Sequence, residues 1–219
     1  MYMATGIPFF RPFRFTFFRD VFDLPVTILD VGCGSSSPRI TKAWFRACTY
    51  HGIDMQNYAN TAEDMQAIDR FFSMDIASLE EHQAIPERFY DIIILSHIIE
   101  HIPNGVAVIQ SLTTKLKPHG QIYIEYPCAH ALSLPSMPGS LHFSDDPTHI
   151  RCYTIPEIAN ALMMSSMRIV KAGRRRDRVR IALFPLLVPL KLLLRGKLSG
   201  GDFWDICGFA EYIVARKSP

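Results

Sequence analysis

The chain has 219 residues, 48% hydrophobic and 20% charged, with a formal net charge of +2. That length and balance suit one folded domain with its own core and exclude a disordered chain. They also exclude a protein whose whole surface grips nucleic acid.

Residues 1–25 form a segment of their own character. Phe9, Phe10, Phe13, Phe15, Phe17, Phe18 and Phe22 interleave with Arg11, Arg14 and Arg19. This is no secretory signal, which would need an aliphatic stretch and a small-residue cleavage site. Residues 26–219 read as a single domain, with an apolar and basic insert over 174–206. Cys33, Cys48, Cys128, Cys152 and Cys207 form no Cys-x-x-Cys pair. Reduced thiols and a cytoplasmic setting are therefore expected, with neither a disulfide framework nor a zinc cluster.

Short apolar runs alternate with helical patterns from here on. Residues 26–31 are a buried-strand run ending at glycine, 49–53 a second ending at Asp54, and 70–74 a third ending at Asp75. Residues 90–95 are the clearest strand, and 120–126 a fifth, preceded by a turn at Lys117-Pro-His-Gly120. Helices are expected over 38–48, 59–69 and 105–116. Thr154-Ile-Pro-Glu157 reads as a capping box opening another helix. Residues 168–172 and 209–215 look like two late strands. The longest apolar run, Ile181 to Leu194, contains Pro185, Pro189 and Lys191. A membrane span needs about 20 apolar residues, so this run does not cross.

The alternation predicts a doubly wound, mostly parallel α/β sheet covered on both faces. Ligands of such sheets bind beyond the carboxyl ends of the strands. After the first strand comes Asp30-Val-Gly-Cys-Gly-Ser35, whose glycines permit a tight turn and close backbone approach. Ser37 stands where a dinucleotide fingerprint would need its third glycine. Asp54, 20 residues beyond Gly34, can accept from both hydroxyls of a ribose. Asp75 can accept from an adenine amino group, with Met55, Met74 and Ile76 flanking the ring. Each acid alone is more often a solvated strand end or a helix cap; three at consecutive strand ends beside a glycine turn read as a nucleoside site.

These landmarks, with Tyr90-Asp-Ile-Ile-Ile-Leu-Ser-His-Ile-Ile-Glu-His-Ile-Pro103 and Leu116-Lys-Pro-His-Gly120, resemble class I S-adenosylmethionine-dependent methyltransferases over residues 26–127. The resemblance also extends to methyltransferases found with bacterial glycan and lipid biosynthesis, through Asp146-Pro-Thr-His-Ile-Arg-Cys-Tyr-Thr154. It implies a Rossmann-like seven-stranded sheet with the last strand antiparallel. It implies S-adenosylmethionine as methyl donor and S-adenosylhomocysteine as product. Asp30, Gly32, Cys33 and Gly34 would hold the methionine part, Asp54 the ribose and Asp75 the adenine. Ser96 and His101 would complete the cofactor side. Ser36 departs from the family's frequent third glycine and implies a shifted turn.

Candidates on the acceptor side are His149 as base, His97 as a second choice, and Arg151 as a clamp for an anionic group. Pairing of Asp146 with Arg151 within the loop is the structural alternative. Asp145, Asp146 and His149 fix no metal geometry, so no metal is expected. A related reading, aminopropyl transfer, would need paired acids where Ser96-His97 stands. A cofactor-binding protein without turnover is the rival from another class.

Charge is unevenly placed. Residues 171–197 hold nine basic residues against Asp177 alone, a local +8, and the rest of the chain is −6. A buried apolar helix flanked by solvated arginines is one reading, and a face for anionic membrane lipid the other. Nucleic acid ranks last, because no aromatic residues interleave the basic run.

Overall fold

The computed structural model describes residues 11–219. Phe9 and Phe10 lie outside the described residues. Seven strands form one sheet: β1 (Thr27–Val31), β2 (Thr49–Asp54), β3 (Arg70–Ser73), β4 (Tyr90–Ser96), β5 (Leu116–Pro127), β6 (Met167–Arg174) and β7 (Ala210–Lys217). Their order is β3-β2-β1-β4-β5-β7-β6. Strands β1 to β5 run parallel, and β7 lies antiparallel between β5 and β6. The helices are α1 (Ser37–Trp44), α2 (Ala62–Gln66), α3 (Gly105–Thr114), α4 (Ile155–Met164), α5 (Arg178–Arg195) and α6 (Trp204–Cys207).

The period-2 alternation of the strands splits the core in two. Ile93 and Leu95 of β4 and Ile122 and Ile124 of β5 face a cluster with Val108, Ile109 and Leu112 of α3 and Ile158 and Leu162 of α4. Ile92, Ile94 and Tyr123 face the other way, onto Ile40, Phe45, Phe15 and Phe18. Continuous apolar runs are the signature of strands buried on both faces.

The aromatic N-terminal segment is therefore no appendage. Its 3-10 turns (Phe13–Val21) bury Phe15 and Phe18 in the second cluster. Phe13 and Phe17 set their rings 5.2 and 5.0 Å from Tyr212.

Two local expectations are corrected. The turn at residues 117–120 lies inside β5, because pairing resumes beyond it: Tyr90 faces Leu116 and Ile92 faces Gln121. Those four residues bulge opposite Asp91, which accepts from Lys117 Nζ at 2.7 Å, and His119 takes φ +65°. At α4, Thr154 accepts from the Glu157 N–H at 3.4 Å, but the Glu157 carboxylate pairs with Arg151 instead of closing the box.

The apolar run is also not a buried helix. α5 continues through Pro185 and Pro189 and contributes no buried residue. Among the described residues no helix is long and apolar enough to cross a membrane.

Candidate functional site

A cavity of about 750 Å³ opens at the carboxyl ends of β1, β2, β4 and β5. That volume lies within the range of small-molecule sites. Asp30, Gly32, Gly34, Asp54, Ser96, His97, His101 and His149 line it, together with Arg14, Glu125, Arg175, Arg180, Trp204 and Phe209.

The floor is the turn after β1. Gly32 takes φ +74°, and a Cβ there would lie 1.9 Å from Ile98 Cδ1. At Gly34 a Cβ would lie 2.6 Å from the Tyr58 carbonyl oxygen. Ser36 sits at φ +63°, a conformation that favours glycine. Two bonds hold it there: its N–H donates to Asn60 Oδ1 and its hydroxyl to Asp64 Oδ2, both at 2.9 Å. This is how a serine serves where the resemblance implies glycine.

Asp30 is 2% exposed beneath this turn. It accepts from Ser37 Oγ at 2.5 Å and Tyr50 OH at 2.7 Å, and burial raises its pKa. Arg14 extends the chain by donating to Ser37 Oγ at 2.9 Å. Asp54 is half-buried at the end of β2. Burial raises its pKa, and the N–H groups of Gln56 and Met55 oppose the rise. Among the described residues, the donor set is thus a carboxylate at one end, a glycine turn in the middle and a guanidinium at the other. Such a set fits a molecule carrying both a diol and a carboxylate.

The other expected cofactor residues fall outside the cavity. Cys33 is fully buried, its thiol packed where a Cβ on Gly52 would lie, and burial pushes its pKa up. Met55 is 68% exposed, whereas Met74 is buried in the first core cluster with Ile76 packed on it. Asp75 is exposed at the end of β3 and accepts from the Ala77 N–H at 2.9 Å.

On the acceptor side, three histidines take three different roles. His149 donates from Nδ1 to the Phe143 carbonyl at 2.6 Å, since a carbonyl can only accept. In the neutral ring, Nε2 then carries the lone pair, 3.9 Å from both Glu100 Oε1 and Asp146 Oδ2. Thr148 Oγ1 donates to Asp146 at 2.5 Å, so His101 Nδ1 donates to Thr148 at 2.9 Å.

His97 sits between two carboxylates, with Nε2 2.9 Å from Glu125 Oε1 and Nδ1 3.3 Å from Glu100 Oε1. Burial works against its charge, but the hydrogen bonds and charges of Glu100 and Glu125 raise its pKa to about 9. It is therefore already protonated at neutral pH and cannot act as the base there. Glu100, His101 and His149 converge with ligand atoms within 4.8 Å of one another. The protonated His97 supplies the positive charge that such a buried carboxylate needs.

Arg151 does not reach the cavity. It pairs with Glu157 and lays its guanidinium 4.7 Å from the Tyr153 ring centroid. The expected Asp146–Arg151 pairing is replaced by these contacts and by Asp146 with Thr148. Asp145 fastens the loop, accepting from the N–H groups of Met137, Leu141 and His142 at 2.8–3.0 Å.

Sequence reading missed the buried node behind His97. Glu125 is 2% exposed near the carboxyl end of β5 and accepts from Arg175 Nη1 at 2.9 Å. Arg175 Nε reaches Asp205 Oδ1 at 3.1 Å. Burial opposes the charge of Glu125, yet Arg175 and His97 hold its carboxyl well below the usual range. Trp204 stacks on Phe209 at 4.8 Å and lies 4.7 Å from the His97 ring, forming an apolar wall. A carboxylate within an otherwise apolar strand, Ile122-Tyr-Ile-Glu-Tyr126, was the available signal.

The sequence pattern of the methyltransferase domain family matches residues 9–165. The ubiquinone biosynthesis O-methyltransferase of Hydrogenovibrio crunogenus is 33% identical over 107 residues, 44% of this chain and 41% of that protein. The chain thus spans about two fifths of the length of the curated relatives it matches. Among solved structures, a SAM-dependent methyltransferase from Archaeoglobus fulgidus superposes with a TM-score of 0.61 at 17% identity, covering 93% of this chain and 91% of that one. Phosphoethanolamine N-methyltransferase 2 from Haemonchus contortus, in complex with S-adenosyl-L-methionine, gives 0.63 at 13% identity, covering 94% and 52%. The two structures establish likeness of fold.

Proposed function

The chain belongs to the methyltransferase domain family, and from that premise we propose that it moves a methyl group from S-adenosylmethionine to an acceptor hydroxyl, leaving S-adenosylhomocysteine. The observation that carries the hydroxyl is His149, which lines the cavity and whose Nδ1–H is committed to Phe143, leaving Nε2 as the ring's acceptor. The O-methyltransferase relative named above supports the same acceptor atom. When bound, S-adenosylmethionine supplies an already activated methyl group, so the protein's work is alignment and proton removal.

Each residue then has a stated task. Asp54 accepts from the ribose hydroxyls, and Arg14 pairs with the methionine carboxylate beside the Gly32–Gly34 turn. His149 Nε2 receives the acceptor proton. The charged node of His97, Glu125 and Arg175 holds the far wall in shape, and Trp204 and Phe209 shelter the acceptor from water. A cytoplasmic setting belongs to the same proposal.

Two variants test the assignment together. Asp54→Ala loses a charge-assisted hydrogen bond, about 1.5–3 kcal/mol, so titration calorimetry should read at least a tenfold loss of S-adenosylmethionine affinity. His149→Ala should keep that affinity. Its transfer of labelled methyl to a panel of hydroxylated aromatic, glycan and lipid acceptors should fall about 10²–10⁴-fold. Unchanged affinity in the first variant removes the ribose role. Tight cofactor binding by the wild type with no transfer to any acceptor returns the binding-protein reading.

A further inference from the structure

α5 shows an inverted pattern. Its exposed residues between Arg178 and Arg195 are all apolar. Val179, Leu186, Leu190 and Leu193 are 56%, 71%, 42% and 83% exposed. At 3.6 residues per turn these four share about one sixth of the helix circumference. The opposite side carries what polarity there is. Lys191 pairs with Asp202, and the Phe184 ring lies 5.6 Å from Phe203.

Charge collects at the two ends of this apolar face. Arg174, Arg176 and Arg178 are exposed before it, and Arg195 and Lys197 after it. Asp177, the acid of this stretch, is committed to the helix start, accepting from the N–H groups of Val179 and Arg180 at 3.0 and 3.2 Å. Arg175 is not part of this surface, since Glu125 and Asp205 hold it inside.

From this arrangement we propose that α5 is an interfacial helix that seats the protein on a bilayer face rich in acidic lipid. An apolar strip ended by cations complements acyl chains bordered by anionic headgroups. A second copy laid on the same strip would set arginines near arginines. The two prolines set the depth. Pro185 and Pro189 have no N–H, so the carbonyls of Ile181 and Pro185 lack their helical donors. Those carbonyls need water or headgroups, which places the helix in the interface and not in the hydrocarbon. The seat adjoins the cavity, because Arg180 in the first turn of α5 lines it.

The proposal does not rest on the methyl-transfer reading, and vesicle binding is measured without turnover. The 219-residue chain is sedimented with phosphatidylcholine vesicles, with and without phosphatidylglycerol, at low and high salt. Wild type should bind the acidic vesicles at low salt and release at high salt. Leu186→Ser/Leu193→Ser and Arg178→Ser/Arg195→Ser/Lys197→Ser should each weaken binding about tenfold or more. Both should keep wild-type S-adenosylmethionine affinity, which reports an intact fold. Absence of sedimentation with acidic vesicles at low salt overturns the proposal. So does binding that the leucine variant leaves unchanged. A wild-type dimer that the leucine variant breaks, with no vesicle binding, gives this face to a second copy instead.

Discussion

The N-terminal segment and α5 are alike in composition and opposite in fate. Both mix large apolar side chains with arginines. In the first, Phe15 and Phe18 are 0% and 2% exposed, and Arg14 turns inward to Ser37. In the second nothing is buried, and the leucines face outward. The difference lies in what each meets. The aromatic segment meets a sheet face of Ile28, Ile92, Tyr123 and Tyr212 that needs a cover. α5 follows β6, the last strand of the sheet, and belongs to neither main core cluster. Composition therefore does not decide burial; an unfilled complementary surface does.

The sharpest way to break this contrast is to truncate one apolar side chain in each region. Phe15→Ala should cost about 3–5 kcal/mol in urea unfolding, and Leu193→Ala should stay within about 0.5 kcal/mol of wild type. Equal losses would mean that α5 is packed after all. A smaller effect separates the arginines. Arg14→Ala should weaken S-adenosylmethionine binding about tenfold by calorimetry, through loss of a charge-assisted contact of about 1.5–3 kcal/mol. Arg178→Ala should leave that affinity unchanged.

A pH effect tests the node where the regions meet. Arg175 lies 5.7 Å from the Phe13 ring centroid, one residue past the strand that leads into α5, and shares Glu125 with His97. The folded pKa of His97, about 9, stands above its ordinary 6.5. Its contribution is thus complete below pH 6.5 and is lost as pH rises through about 9. Stability should fall across that window by at most about 1.4 kcal/mol per pH unit, and His97→Gln should flatten the slope. Thermal unfolding against pH reads both.

What could be read beforehand follows from locality. Val26–Val31 and Tyr90–Leu95 declare themselves because a strand buried on both faces must be apolar throughout. Asp54 is legible because a strand end in a parallel sheet has few uses for a half-buried acid. The Glu125–Arg175 pairing was not, because it joins positions 50 residues apart; its one local mark is the acid inside an apolar strand. His97 looked like a base because its type suits one; the two carboxylates that keep it protonated arrive by folding. The exposure of α5 was equally hidden, since a helix apolar on most of its circumference has no face that sequence alone can assign inward.

The placement of β7 has a consequence for synthesis. β6 bonds to the sheet only through β7, which lies between it and β5. As the chain leaves the ribosome, β6 emerges first and finds its site on the sheet not yet built. α5, with its outward leucines, emerges next. Until residues 210–217 follow and zip between β5 and β6, the nascent protein carries an unpaired strand and an uncovered apolar helix together. Such an interval is where a growing chain is most prone to aggregate. A chaperone acting on this protein during that interval would find a target in residues 167–209.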